Sequence, residues 1–372
     1  MSEFLEAVAA FQVAARHHDE DAVQRRLTQL REQFGQAPDE ELDIAAALLA
    51  DVMPDLSPGR DAVVAVLVGA CVEAGAGAAA CAEPILSAAE RATAGAADFL
   101  RRWPAGWDHP RQIGEVPPPS MFEQLGDPND PEVRAAGMGW WTLPLWQSAV
   151  AAVLSSKDVR KAFLPNDEFF WNAREVAMST GVGTYLAQAL AVLDDAKLVA
   201  IHRPTLEGFE FLMSGVADNF QLHTLLMERL VTPGHLPGTP PSREAVEACT
   251  AESPDAPYEY DGTGAFNLVA PDGSWIWNEA WPVDIPLIDG RRLLLLDPPP
   301  YERTWHASRA FLAMPAELEF VRRISEDGVK RMMAYVSPAQ DLFPTSEAEP
   351  SAHHKRHWWH RREARQAEPT ER

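Results

Sequence analysis

Thiols are scarce in this chain. Cys71, Cys81 and Cys249 are the only cysteines in 372 residues. They are odd in number and lack metal-ligand spacing, which argues against a disulfide scaffold or a thiolate metal site. A reducing cytoplasm fits them better, where a buried thiol behaves as a small apolar residue. Cationic side chains are also in deficit, with 32 Lys and Arg against 55 Asp and Glu and a net charge of −23. An acidic surface repels nucleic acid and anionic lipid, so neither suits the bulk of the chain, and solubility is the simplest reading of the charge. No basic stretch precedes the first apolar residues of "MSEFLEAVAAF", so no signal peptide is expected. Nor does the chain contain Gly-x-Ser-x-Gly, His-Glu-x-x-His, a Walker loop or paired Cys-x-x-Cys, and their absence counts against catalysis of those types.

Uncharged runs are limited to one of bilayer length. Residues 135–156, "AAGMGWWTLPLWQSAVAAVLSS", carry no charge, and about 20 residues suffice to span a membrane. Thr142, Pro144, Gln147, Ser148, Ser155 and Ser156 lower the hydropathy, and no basic cluster flanks one side. The run therefore predicts a buried helix, with no transmembrane segment.

What the chain has in excess is proline: 31 residues, where about 5% of a chain is usual. Its clusters punctuate the sequence, and the length suggests two domains. The fold class expected is α+β, with an all-helical N-terminal half, bundle or helical-repeat-like, followed by an α+β region with an antiparallel sheet. Residues 1–103 read as helices, although no period of about 34 or 40 residues names a repeat family. Residues 104–131 form a Pro-rich linker or arm, ending where Asp130 and Pro131 suit N-cap and N1 of a helix. Residues 132–196 make a helical segment joining the halves. The α+β domain spans 197–337, with a hairpin across "PTLE" and Asp-Gly turns at "PDG" and "IDG". Residues 338–372 are a basic His/Trp tail with the composition of disorder.

Several constellations invite a chemical reading. Asp218, His223 and Glu228 resemble an acid/base set, but spacings of five turn about 140° on a helix and do not converge. Asp218 and Gln221 instead form a capping box ahead of the stripe Leu222, Leu225, Leu226 and Leu230, with His223 at its edge. In "TGVGTYL" the Gly181-x-Gly183 pair follows helix, not strand, and marks a hinge or packing site. The segment "DGSWIWNEAWPVDIPLIDG" (272–290) reads as core strands, with Trp275 and Trp277 on one face and Ile276 and Asn278 on the other. The contrary reading makes Trp275 and Trp277 ligand-stacking residues and Glu279 and Asp284 a catalytic carboxylate pair. Arg303, His306 and Arg309 recur every three residues. If helical they share a face, with the arginines holding an anion and His306 acting as acid/base.

The tail reverses the sign of the body. Residues 351–372 carry six Lys and Arg against three Glu, so the first 350 residues hold −26. Lys355, Arg356, Arg361 and Arg362 surround Trp358-Trp359, a contact set for nucleic acid, an anionic surface or an acidic partner. His353, His354, His357 and His360 are weak metal candidates, and no metal site is assigned to them. A solvated tail, or one folded back on the acidic body, is the plainer reading. These features together suggest a cytoplasmic protein-interaction or scaffolding protein with a basic tethering tail and a protein partner. The alternative is an enzyme of unfamiliar type with a small anionic ligand in the α+β domain. The sequence leaves the cofactor unknown, and whether the chain is an enzyme stays open.

Overall fold

The computed structural model describes residues 2–112, 117–163, 167–251 and 255–337; the His/Trp tail and its candidate contacts lie outside them. The chain is α+β. Five helices come first: α1 (Glu3–Arg16), α2 (Glu20–Gln33), α3 (Asp39–Asp51), α4 (Arg60–Glu73) and α5 (Ala82–Arg102). Side-chain caps set their starts where hydroxyl or carboxylate oxygens take orphan amides, as Ser2 does for Leu5 and Asp19 for Ala22. The Pro-rich stretch contains a short helix, α6 (Pro119–Leu125), and leads into α7 (Pro131–Val153). Asp130 caps α7 by accepting from the Glu132 amide, with Pro131 in the first turn.

The uncharged run is α7. Its Trp140, Trp141 and Trp146 are buried in the helical core, and no helix among the described residues is long and apolar enough to cross a membrane. Pro144 interrupts the hydrogen-bond ladder, since it has no N–H to give the Trp140 carbonyl one turn back. Gln112 Nε2 donates to that carbonyl at 3.4 Å, and Trp140 Nε1 donates to the Pro110 carbonyl at 3.1 Å. The first part of the arm is thereby pinned to α7 at the break that proline makes. α5 and α7 nearly touch: a Cβ on Gly139 would lie 2.4 Å from the Ala92 carbonyl oxygen, and one on Gly95 would lie 2.5 Å from that of Ala135.

Three more helices complete this half: α8 (Lys157–Ala162), α9 (Asp167–Thr180) and α10 (Thr184–Ala191). Gly183, between the last two, has a left-handed φ of +77° and packs on Leu143, in line with a packing role.

The second half begins with the expected hairpin, β1 (Ala196–His202) and β2 (Glu207–Ser214). Then follow α11 (Asn219–Leu230), α12 (Arg243–Thr250), β3 (Glu259–Gly264), β4 (Asn267–Val269), β5 (Leu287–Ile288), β6 (Arg291–Asp297), β7 (Arg303–Ser308), β8 (Glu317–Ile324) and α13 (Glu326–Met333). The main sheet runs β4-β6-β1-β2-β8, with β5 also on β6, while β3 and β7 pair separately. This sheet is mixed, not antiparallel throughout, because β1 and β6 run parallel. The long crossover between them allows it, and burial on both faces suits it. Leu294 and Leu296 face the core beneath α11, and Leu293 and Leu295 the smaller one beneath α13. At "IDG", Asp289 and Gly290 have φ of +49° and +71°, the two-residue hairpin turn that joins β5 to β6.

One apolar core links the halves. It runs from Phe4 to Ala191 and takes in Ala217, Trp281, Phe311 and Met314 from the second half. Arg160 on α8 makes a buried bidentate pair with Asp194, at 2.7 and 2.9 Å, and also donates to the Leu154 and Ser155 carbonyls.

Candidate functional site

The helical half holds a cleft of about 630 Å³. One wall is Glu20, Gln24 and Leu27 of α2 with Arg60 and Val63 of α4. The other is Pro117 and Pro119 at the arm's end, Phe122 and Glu123 of α6, and Arg134 and Met138 of α7. Glycines set the spacing. Gly59, at φ +97°, turns the chain into α4 under Met138, and Gly137 lets the Phe122 ring lie against α7, where a Cβ would come within 2.4 Å of it. Arg60 is fixed by Glu20 at 2.7 Å and by Gln24. Arg134 is exposed and has no ion-pair partner among the described residues. The lining thus combines apolar side chains (Leu27, Val63, Phe122, Met138) with charges of both signs, as a protein-binding surface does.

The residues singled out from the sequence fall elsewhere and do not form one site. Residues 272–281 pair with the sheet through the single Val269–Trp275 bridge, so "GSWIWNE" is a pinned loop and not a core strand. The two-face alternation holds, but the buried face is the other one: Asn278 is 3% exposed, and Ile276 is buried with it. Trp275 is half-buried and Trp277 is 53% exposed, which corrects the expectation that both are core; Trp281 is the tryptophan of this segment that enters the core. The carboxylates part company. Glu279 faces solvent, whereas Asp284 turns inward to Arg174 at 2.8 Å and accepts from the Trp281 amide.

Arg303, His306 and Arg309 sit on or just after β7, so a shared helical face does not exist. Strand alternation places His306 on the face opposite Arg303. His306 pairs with Asp261 of β3 at 2.9 Å in the open, and that hydrogen bond raises its pKa. Arg303 donates to Asn267 at 2.9 Å. Arg309 is buried and donates to the carbonyls of Ala248 at 2.6 Å, Phe311 at 3.1 Å and Leu312 at 3.2 Å, so it braces the backbone. Among the described residues, no group of three His, Cys, Asp or Glu could hold a metal ion.

A polar group not foreseen as a site lies along α11. Asp218 caps the helix through the Gln221 amide at 2.9 Å, but Gln221 Oε1 accepts from Ala217 N–H and not from the cap itself. His223 is not at the edge of the stripe; it is fully buried, stacked on Phe266 and beside Trp305. Its Nε2 accepts from the Phe266 amide at 3.4 Å, which leaves the proton on Nδ1, 3.5 Å from Asn278 Oδ1. Burial, helped by the charge of Arg303, pushes His223 down to about 3. Burial likewise pushes Asp218 up to about 6 and Cys249 up to about 12. Asn219 Oδ1 and Trp305 Nε1 are buried nearby without hydrogen-bond partners among the described residues. The pairing of His223 with Asn278 spans 55 residues, so no local pattern in the sequence signals it.

These two shifts oppose each other. His223, depressed when folded, contributes stability that is full above about 6.5 and lost as pH falls toward 3. Asp218, raised when folded, contributes stability present below about 4 and lost as pH rises through 6. Between pH 4.5 and 6 they largely cancel. Asp218→Asn, which keeps a capping oxygen, is expected to lose up to about 2 kcal/mol on acidification across that window relative to the parent. His223→Gln is expected to gain a similar amount. Urea melts at both pH values decide it, and the same sign for both variants would refute the assignment.

No family model matches the chain, and neither the curated proteins nor the solved structures include a match to it.

Proposed function

We propose that the protein is a cytoplasmic interaction or scaffolding protein, which binds another protein through the cleft of its helical half and uses the basic segment 351–366 as a tether. The observation that supports this is the cleft itself, lined by Leu27, Val63, Phe122 and Met138 and by Arg134, which is exposed and has no ion-pair partner among the described residues. Asn129→Trp with Arg134→Glu changes two exposed cleft residues and so should leave the melting temperature within about 1 °C. With the full chain as bait in native lysate, the variant is expected to retain at least tenfold less of a specific partner. Equal retention by both baits would move the binding surface elsewhere.

A second reading is a site for a small anion in the α+β half. One observation favours it: Arg303 has only Asn267 as a hydrogen-bond partner among the described residues, close to His223 and Trp305 with its unpartnered Nε1. Inorganic phosphate should then raise the melting temperature of the parent but not of Arg303→Met, and no rise in either excludes phosphate as the ligand.

A further inference from the structure

Trp277 stands on a fixed backbone. Its carbonyl accepts from Asn219 Nδ2 at 3.0 Å and from the Ala280 amide at 3.1 Å, and the neighbouring Ile276 amide donates to Leu268 at 2.9 Å. The ring nevertheless points to solvent, 5.7 Å from that of Trp275. Its setting is negative. Residues 272–290 contain Asp272, Glu279, Asp284 and Asp289 but no Lys or Arg, and with Asp284 paired inward to Arg174 the exposed charge nearest Trp277 in sequence is Glu279. The arginines that follow are already engaged, Arg291 with Glu210 and Arg292 with the Val283 and Ile285 carbonyls. A preorganised exposed indole two positions from an exposed carboxylate, Glu279, is a receptor for a cation, which gains from the ring face and the charge together.

The chain itself leads a cationic segment away from this place. Ser337 N–H donates to the Pro271 carbonyl at 2.8 Å, and Val336 packs on the same small core as Trp275. Fourteen positions further on, residues 351–366 begin, within a reach of about 46 Å at roughly 3.3 Å per residue. They carry Lys355, Arg356, Arg361 and Arg362 around two tryptophans, while the first 350 residues sum to −26. A short tether also presents the segment at an effective concentration on the order of millimolar.

We propose that the Trp275–Trp277 face is the docking surface for the chain's own segment 351–366, with its cations over Trp277 and against Glu279. An outside acidic partner reaches that segment by displacing it from this face. The inference uses the tether of the proposed function but not the cleft, so the two can fail separately.

Zero-length carbodiimide coupling tests it, because it joins an amine to a carboxylate only in contact. The full chain is treated at micromolar concentration as a mixture of ¹⁵N-labelled and unlabelled protein, and the coupled peptides are identified by mass. The expected product joins Lys355 to Glu279 within single-isotope chains, is lost in 1 M NaCl, and falls at least fivefold in Trp277→Ala. The doubly substituted tail Trp358→Ser, Trp359→Ser, which alters no described residue, should show the same fall and covers the case where Trp277→Ala fails to fold. Coupling of Lys355 to many carboxylates without preference, or insensitivity to both variants, overturns the proposal. Mixed-isotope products overturn it in favour of a second copy on this face.

Discussion

Gly139→Ala is expected to destabilise the protein by about 3 kcal/mol, the upper end of overpacking costs, and to lower its melting temperature by roughly 4 °C. The sign makes the result informative. In an exposed helix the same change gains up to about 1 kcal/mol, because alanine restricts the unfolded chain and suits the helix. At Gly139 the new methyl would meet backbone: the Ala92 carbonyl oxygen at 2.4 Å, the Ala96 nitrogen at 2.8 Å and the Gly95 carbon at 2.9 Å. Backbone atoms inside a helix cannot rotate aside, so α5 and α7 must separate along a contact that both halves of the helical core depend on. Gly35 is the control, since nothing lies within 4 Å of a Cβ built there. Thermal melts of the two variants settle the matter, and a Gly139→Ala protein as stable as Gly35→Ala would mean that the helices are not in backbone contact.

Asp194→Ala carries the second large expected effect, a loss of about 3–5 kcal/mol. The side chains of both Arg160 and Asp194 are nearly inaccessible, at 5% and 6%. Removing the carboxylate leaves a guanidinium that can neither lose its proton nor reach water, held only by the Leu154 and Ser155 carbonyls. Most of the loss is therefore the stranded charge and not the intrinsic worth of the pair. The double variant Arg160→Met, Asp194→Leu should then recover at least half of the stability, as apolar replacements of buried pairs do. A single variant costing under about 1 kcal/mol, measured by urea unfolding, would show that water reaches the pair.

The reason some of this fold was legible and some was not is the range of the interactions involved. Helix starts at Asp130, Ser325 and Asp218 are fixed by bonds to amides two or three residues on, and so show in the local sequence. The Asp289-Gly290 turn and the four-leucine run of β6 are equally local signals. The parallel pairing of β1 with β6 joins residues more than ninety positions apart, and no local pattern encodes it. Arg303, His306 and Arg309 carry a period of three that competes in the sequence with the period of two of Thr304, His306 and Ser308, the exposed positions of β7. In the tryptophan loop the alternation was read correctly, but which face turns inward depends on Asn219 and Leu268, which hold the loop from elsewhere. The candidate site suffered most from this. The cleft is assembled from α2, α4, the arm, α6 and α7, and none of its lining residues stood out singly.

The shared core has a consequence for how the molecule is made. When a ribosome has released Val192, every helix of the first half has been synthesised, yet the places that Trp281, Phe311 and Met314 fill are still empty. The last of these arrives about 120 residues later, roughly 6–25 s at 5–20 residues per second. For that interval the nascent helices expose apolar surface that nothing in the emerged chain can cover. A chaperone that shields such surface should therefore associate with ribosomes stalled between residues 192 and 314 and leave once 314 has cleared the exit tunnel.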